Sequence, residues 1–335
     1  MVRPVPGRDP FVYVVGCPRS GTTVVQRMLD AHPDVAVSRS THWVTLPLRD
    51  AAWSLADGRV TPELVEQVVG FRRFPKMDVD PDAVRRLAAT APPPTYEDFV
   101  RGVYALFAGG RQKGFAGDKT PAYVRWIPAL ADWFPTARFV HVVRDGRDVC
   151  LSLLDPKNEK KRAQLAAFST WVDDPVATAA LRWEWDVRLG REGGAAVGAD
   201  RYLELRYEAL VEDPDAACRS LCTFLGLEAR PEMVRFHEGR SRPGEGRDAK
   251  HAWSPVTAGL REWRRDMAAG DRARIEAVAG PLLDELGYAS PEAVGREDLA
   301  RAAALRAVFA HEARRQGERT PDGWPTGEPV AGARP

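Results

Sequence analysis

"VVGCPRSGTT", Val14 to Thr23, is the stretch that decides how the rest of the chain is read. A β-branched and aromatic run from Phe11 to Val15 ends at Gly16, which gives a buried strand. Val24, Val25, Met28 and Leu29 then fall at helical spacing until "HP" stops the pattern. A strand, a glycine-rich turn and a helix in that order surround an anion with backbone N–H groups and a positive helix end. Gly16 and Gly21 let the backbone close in without Cβ clashes, and Thr22 and Thr23 add hydroxyls to the first helical turn. A tight turn with no ligand is the plainer alternative, but it requires neither the threonines nor Arg19. The lysine that a nucleoside triphosphatase carries after its second glycine is missing, and Thr22 stands in its place. That lysine reaches the β- and γ-phosphates, so this loop suits a different activated anion on a nucleotide.

Outward from the loop, "DVAV" reads as a second strand, and residues 43–110 carry helical patterns broken by proline with no strand among them. "GFAGDKTP" ends a third strand and leads into the helix "AYVRWIPALADWF". "ARFVHVVRD" is the clearest strand, with the helix "GRDVCLSLL" after it. A long helix around Leu181–Leu189 precedes a fifth strand, "RYLELRY", and the amphipathic helix "DPDAACRSLCTFLGL". Strands alternating with helices imply an α/β fold of three layers, a central parallel sheet flanked by helices.

The 335 residues are 44% apolar, enough for a substantial core. Lys and Arg number 48 against 47 Asp and Glu. That balance gives no bulk attraction to nucleic acid or to an anionic membrane, so neither is expected as a partner. "FVYVVG" is too short to span a bilayer and lacks the features of a secretory signal, so a cytoplasmic location is expected. Cys17, Cys150, Cys218 and Cys222 have no zinc-like spacing and read as small buried thiols.

A second anion site follows the strongest strand. Arg144 stands at its end, and Ser152 lies eight residues on, in the next helix. Arg grips phosphate with two parallel hydrogen bonds, and a Ser hydroxyl adds another. Arg144 pairing with Asp145 or Asp148 as surface charge is the alternative. Two anion sites at strand ends, where open α/β sheets bind ligands, suit a nucleotide with phosphates at both its 5′ and 3′ positions.

With "PRSGTT", "RDGRDVCLS", "GDKTP", "FPTARFVHVVRD" and "LRYEALVEDPDAACRSLCTFLGL" in this order, the chain resembles the sulfotransferases that use 3′-phosphoadenylyl sulfate (PAPS). The resemblance runs from about Phe11 to Trp263 and is nearest the bacterial, tyrosylprotein- and carbohydrate-type branch. It implies a P-loop-like fold with one domain over residues 1–314, in which 43–110 form a helical insertion on the acceptor side. Residues 315–335, rich in Pro and Gly, read as a disordered tail. It further implies that Arg19, Ser20, Gly21, Thr22 and Thr23 hold the 5′-phosphosulfate and that Arg144 and Ser152 hold the 3′-phosphate. Tyr207 would lie against the nucleotide, and Lys250 would add a phosphate contact. The acceptor would be a hydroxyl or amine of a small molecule, glycan or peptide.

Sulfuryl transfer needs a base for the acceptor's proton and cations for the sulfuryl oxygens and leaving phosphate, and it requires no metal. Arg19 and Lys119, the latter at the end of the third strand, are the candidate cations. Relatives place a Glu after the second strand, where this chain has Ser40, so His42 becomes the candidate base and Asp118 its runner-up. Two other readings remain open. One is an ATP-dependent small-molecule kinase with Asp118 or Asp145 holding magnesium, and the other is a nucleotide-binding protein without catalysis. The aromatics Trp43, Trp53, Phe71, Phe74, Tyr96 and Phe99 belong either to an acceptor pocket or to the core.

Overall fold

Five short runs of mostly apolar residues pair side by side in a single parallel sheet, in the order β2-β3-β1-β4-β5. The computed structural model describes residues 11–238, 262–288 and 294–327. β1 (Phe11–Val15) lies at the centre with every side chain buried, as a strand covered on both faces must be. It leads through the loop to α1 (Thr22–Ala31), then β2 (Val35–Arg39). The insertion holds α2 (Pro62–Gly70), α3 (Pro81–Ala88) and α4 (Tyr96–Gly109). Each starts sharply: Thr61, Asp80 and Thr95 cap the three N-termini by accepting backbone N–H bonds.

β3 (Phe115–Lys119) passes through a 3₁₀ stretch, Pro121–Trp126, into α5 (Ile127–Trp133). β4 (Arg138–Val143) is followed by α6 (Gly146–Leu154), α7 (Glu159–Leu165), α8 (Thr170–Asp173) and the long α9 (Pro175–Val197). After β5 (Tyr202–Arg206) come α10 (Tyr207–Glu212), α11 (Pro214–Leu225) and α12 (Pro231–Val234). Last are α13 (Trp263–Asp266), α14 (Ala269–Glu285) and α15 (Arg296–Arg315). No helix among the described residues is long and apolar enough to cross a membrane.

Alternate side chains along the strands feed two cores. Val12, Val14, Val37 and Val140 pack with Met28 and Leu29 of α1 and Leu221 of α11. Phe11, Tyr13, Ala116 and Phe139 pack with Tyr104 of α4, Phe134 and Tyr123. A third cluster lies off the sheet, where Trp183 and Trp185 of α9 meet α14 and α15. The three layers and the parallel sheet expected from the sequence are present. All four cysteines are buried free thiols.

Two sequence expectations change. Residues 316–327 are not a disordered tail. Trp324 is buried against Phe309, with ring centroids 6.0 Å apart, and Glu318 pairs with Arg125 and Arg49, each at 3.1 Å. Arg319 donates to Glu192 at 2.8 Å while its carbonyl accepts from the Trp185 indole, also at 2.8 Å. Low periodicity there reflects a strap held by α9 rather than lack of order; 328–335 lie outside the described residues. Trp43, Phe74, Tyr96 and Phe99 belong to the core, and Trp53 and Phe71 pack beside it, so these aromatics do not line an open pocket.

Candidate active site

The strand order reverses direction about β1: the chain leaves it toward β2 on one side and later returns to β4 on the other. Open α/β sheets bind ligands outside the C-terminal ends of their strands at such a reversal, and both motifs stand there, one after β1 and the other after β4. Gly16, at φ +143°, sits so close to β4 that a Cβ would lie 2.5 Å from the carbonyl oxygen of Val142. At Gly21, φ is +99° and a Cβ would stand 2.3 Å from the Tyr207 ring. Neither position can take a side chain, so the loop is drawn against β4 and α10 by its glycines.

Arg19 has a positive φ, and its Nε donates to the Ser152 hydroxyl at 2.8 Å. The two residues assigned to different phosphates are thus in contact, which brings the two motifs side by side. Ser20 is fully buried and its hydroxyl has no hydrogen-bond partner among the described residues. Arg144 is only 8% exposed. Its carbonyl accepts from the Trp183 indole at 3.1 Å, its Nη2 donates to Asp148 at 2.9 Å, and its guanidinium lies 4.5 Å over the Tyr207 ring. Its Nε has no partner among the described residues. Tyr207 therefore fills the space between Gly21 and Arg144. The Arg144–Asp148 pair is buried rather than a surface pair. Lys250 lies outside the described residues.

Asp118 and Lys119 are adjacent in sequence, but strand alternation sends them to opposite faces. Lys119 Nζ points over α1, donating to Thr23 at 3.3 Å and to Ser40 at 3.1 Å. Burial, opposed by Asp118 and reinforced by Lys161, Arg39 and Arg27, lowers its ammonium to about 8. Asp118 faces the other way, wholly buried, accepting from the hydroxyls of Thr41, Tyr104 and Thr120. Its burial raises its carboxyl pKa, yet it has no path to the candidate site, and this corrects its standing as a reserve base.

His42 is half-buried beside Tyr123, and both Ser40 and His42 have positive φ. Such strained non-glycine conformations concentrate at functional sites. Burial, then Arg73, Lys161, Lys119 and Arg72, lowers its imidazole to about 3. It is thus neutral at pH 7 and free to accept a proton, though it holds one weakly. The cations around it come from separate elements. Arg73 donates to the Ser40 carbonyl at 3.1 Å, and Lys161 of α7 is lowered to about 8 by burial and by Arg182 and Arg73. Sequence reading did not single out Arg73 or Lys161, because neither belongs to a motif and only folding brings them to His42.

The sulfotransferase family model matches residues 10–231. The chain belongs to the sulfotransferase family, a family of enzymes. Among its relatives, protein-tyrosine sulfotransferase 2 of Gallus gallus is 27% identical over 301 residues, covering 86% of this chain and 73% of that protein. The protein-tyrosine sulfotransferase of Drosophila melanogaster is 23% identical over 310 residues, and the chain spans 54% of its length. The sulfotransferase domain of the Synechococcus PCC 7002 olefin synthase has the same fold, with a TM-score of 0.57 at 21% identity over 87% of this chain and 99% of that one. The sulfotransferase domain of the curacin biosynthetic pathway aligns with a TM-score of 0.51 at 18% identity, over 94% of this chain and 100% of that one. A kinase is not favoured in this sulfotransferase. The carboxylates it would use are taken: Asp118 by hydroxyls, and Asp145 by Arg147 at 2.8 and 3.0 Å.

Proposed function

We propose that this sulfotransferase moves a sulfuryl group from PAPS to a hydroxyl of a protein or peptide acceptor. The observation that carries the donor reading is Arg144, more than nine-tenths buried yet with an Nε that has no partner among the described residues. A buried donor without a partner is costly, and a phosphate oxygen would relieve that cost. In this reading Ser20, Gly21, Thr22 and Thr23 hold the 5′-phosphosulfate with backbone N–H groups and hydroxyls, aided by Arg19. Arg144 and Ser152 hold the 3′-phosphate, and Tyr207 packs against the nucleotide.

PAPS supplies an activated sulfuryl group on a phosphate leaving group. Lys119, bridging Thr23 of the loop and Ser40, is placed to offset the charge that develops on that phosphate. His42 accepts the acceptor's proton in its neutral form. The acceptor side is rimmed by Arg72, Arg73, Lys76, Lys160 and Arg39, whose mutual repulsion lowers Lys76 after burial. An acceptor hydroxyl with acidic neighbours fits that rim. The tyrosylprotein relatives support a peptide over a small molecule or glycan.

The reading is tested by calorimetry with adenosine 3′,5′-bisphosphate in the absence of magnesium, and with ATP plus magnesium. Retention of the bisphosphate alone is expected. ATP bound in preference would reject the donor assignment. Mass spectrometry of acidic tyrosine- and serine-containing peptides incubated with PAPS then tests the acceptor.

A further inference from the structure

Asp148, in the first turn of α6, commits its two carboxylate oxygens to different parts of the chain. Oδ2 accepts from Nη2 of Arg144 at 2.9 Å, and Oδ1 accepts the backbone N–H of Trp263 at 2.9 Å. The side chains of the ion pair are 10% and 14% exposed. A buried ion pair adds little net stability, because the loss of hydration offsets the attraction, so stability alone does not explain its place.

The surroundings of Arg144 suggest what does. Trp183 fixes its carbonyl, Tyr207 covers one face of its guanidinium, and Asp148 takes one end of the fork. The guanidinium plane is therefore set, with Nε left without a partner among the described residues. A planar fork grips phosphate well only when its plane is set beforehand.

We propose that Asp148 is a positioning residue for the donor, fixing the Arg144 fork for the 3′-phosphate and coupling it to the chain at Trp263. This rests on the donor reading above. Trp263 is itself anchored, since the Arg147 guanidinium lies 3.8 Å over its indole. Arg147 in turn pairs with Asp145 at 2.8 Å and Glu276 at 3.1 Å and donates to the Tyr288 carbonyl at 2.7 Å. One carboxylate thus links the phosphate grip to the docking of α13 and α14, and the coupling must be felt equally from either end.

The test measures dissociation constants for adenosine 3′,5′-bisphosphate and for 5′-AMP. The proteins are the wild type, Asp148→Asn, Asp148→Glu, Trp263→Ala and the Asp148→Asn/Trp263→Ala double variant, each checked for an unchanged thermal midpoint. An Asn carbonyl can keep only one of the two bonds. Asp148→Asn should weaken the bisphosphate by at least about tenfold and 5′-AMP by less than about twofold, as the loss of a charged hydrogen bond predicts. Asp148→Glu, which keeps the charge and guards against misfolding, should recover part of the loss. Trp263→Ala should weaken the bisphosphate in the wild type but add little to Asp148→Asn. Equal losses for both nucleotides would assign Asp148 a purely structural role. Unchanged or tighter bisphosphate binding by Asp148→Asn would also overturn the proposal, because deleting a negative charge with no positioning duty should favour an anion. A wild type that does not hold the bisphosphate would remove the donor reading and this proposal together, whereas a failure confined to the variants leaves the donor reading standing.

Discussion

The two sides of the candidate site are built in opposite ways. On the side proposed for the donor, the candidate groups come mostly from the loop after β1 and from the end of β4 with the helix that follows it. The polar groups there are fixed by named partners: Arg19 by Ser152, and Arg144 by Asp148, Trp183 and Tyr207. On the acceptor side, the groups come from the end of β2, the 3₁₀ turn Phe74–Met77 and α7, and they are mostly cations facing one another. If the proposed donor and acceptor sides are right, a phosphate common to every donor is served by a fixed cradle of local backbone, and a varying acceptor by groups that the fold brings together.

If this division is right, substitutions on the two sides should separate turnover from nucleotide affinity. The largest effect is expected at His42. Replacing it by Ala should lower kcat by roughly 10²–10⁴-fold, the usual worth of a general base, with bisphosphate affinity unchanged. His42→Asn, which better tolerates the left-handed backbone there, controls for strain. Near-normal turnover of both variants on an accepted peptide would remove His42 from the chemistry.

Lys119 stands on the boundary. Lys119→Ala should cost about 10²–10³-fold in kcat, as loss of one preorganised charge-stabilising donor does, and much less in affinity. Loss of affinity without loss of turnover per bound enzyme would move Lys119 wholly to the donor side.

Arg144→Ala should weaken bisphosphate binding by about 1.5–3 kcal/mol, and Ser152→Ala by about 0.5–1.5 kcal/mol, with little effect on a nucleotide lacking the 3′-phosphate. Matching losses for both nucleotides would erase the distinction between the two phosphate sites.

The smallest effect is the pH dependence, and it sharpens the comparison. Because His42 is lowered to about 3, the base is already neutral well below pH 7, and kcat/KM should show no rise through the ordinary histidine range. If Lys119 acts as a cation, its lowering to about 8 predicts that kcat/KM falls as pH rises through that value. A bound polyanionic donor favours the charged lysine, so the fall in kcat should come at higher pH. A rise through pH 6–7 that disappears in His42→Ala would show that the cations around His42 do not act on it as described.

Legibility followed the same division. The helix after the loop and the helix after β4 span the residues that the sequence pattern gave, because apolar spacing and glycine or proline punctuation act within a few residues. The loop and the Arg144–Ser152 spacing could be read for the same reason. The rim of Arg72, Arg73, Lys76 and Lys161 could not, since charges scattered along helical segments look like solvated surface until the segments are packed.

By itself, then, the sequence determined the parallel α/β sheet, the glycine-rich loop after β1 and the Arg144–Ser152 spacing after β4, all set by local backbone geometry. Tertiary structure decided that Asp118 is sealed among hydroxyls while Lys119 reaches the candidate site, because strand pairing fixes which face each neighbour meets. It decided that residues 316–327 pack on α9, where Glu318 finds Arg125 from a distant 3₁₀ turn. It also decided how weak a base His42 is, because desolvation and the summed field of neighbouring cations depend on groups that only folding brings within reach.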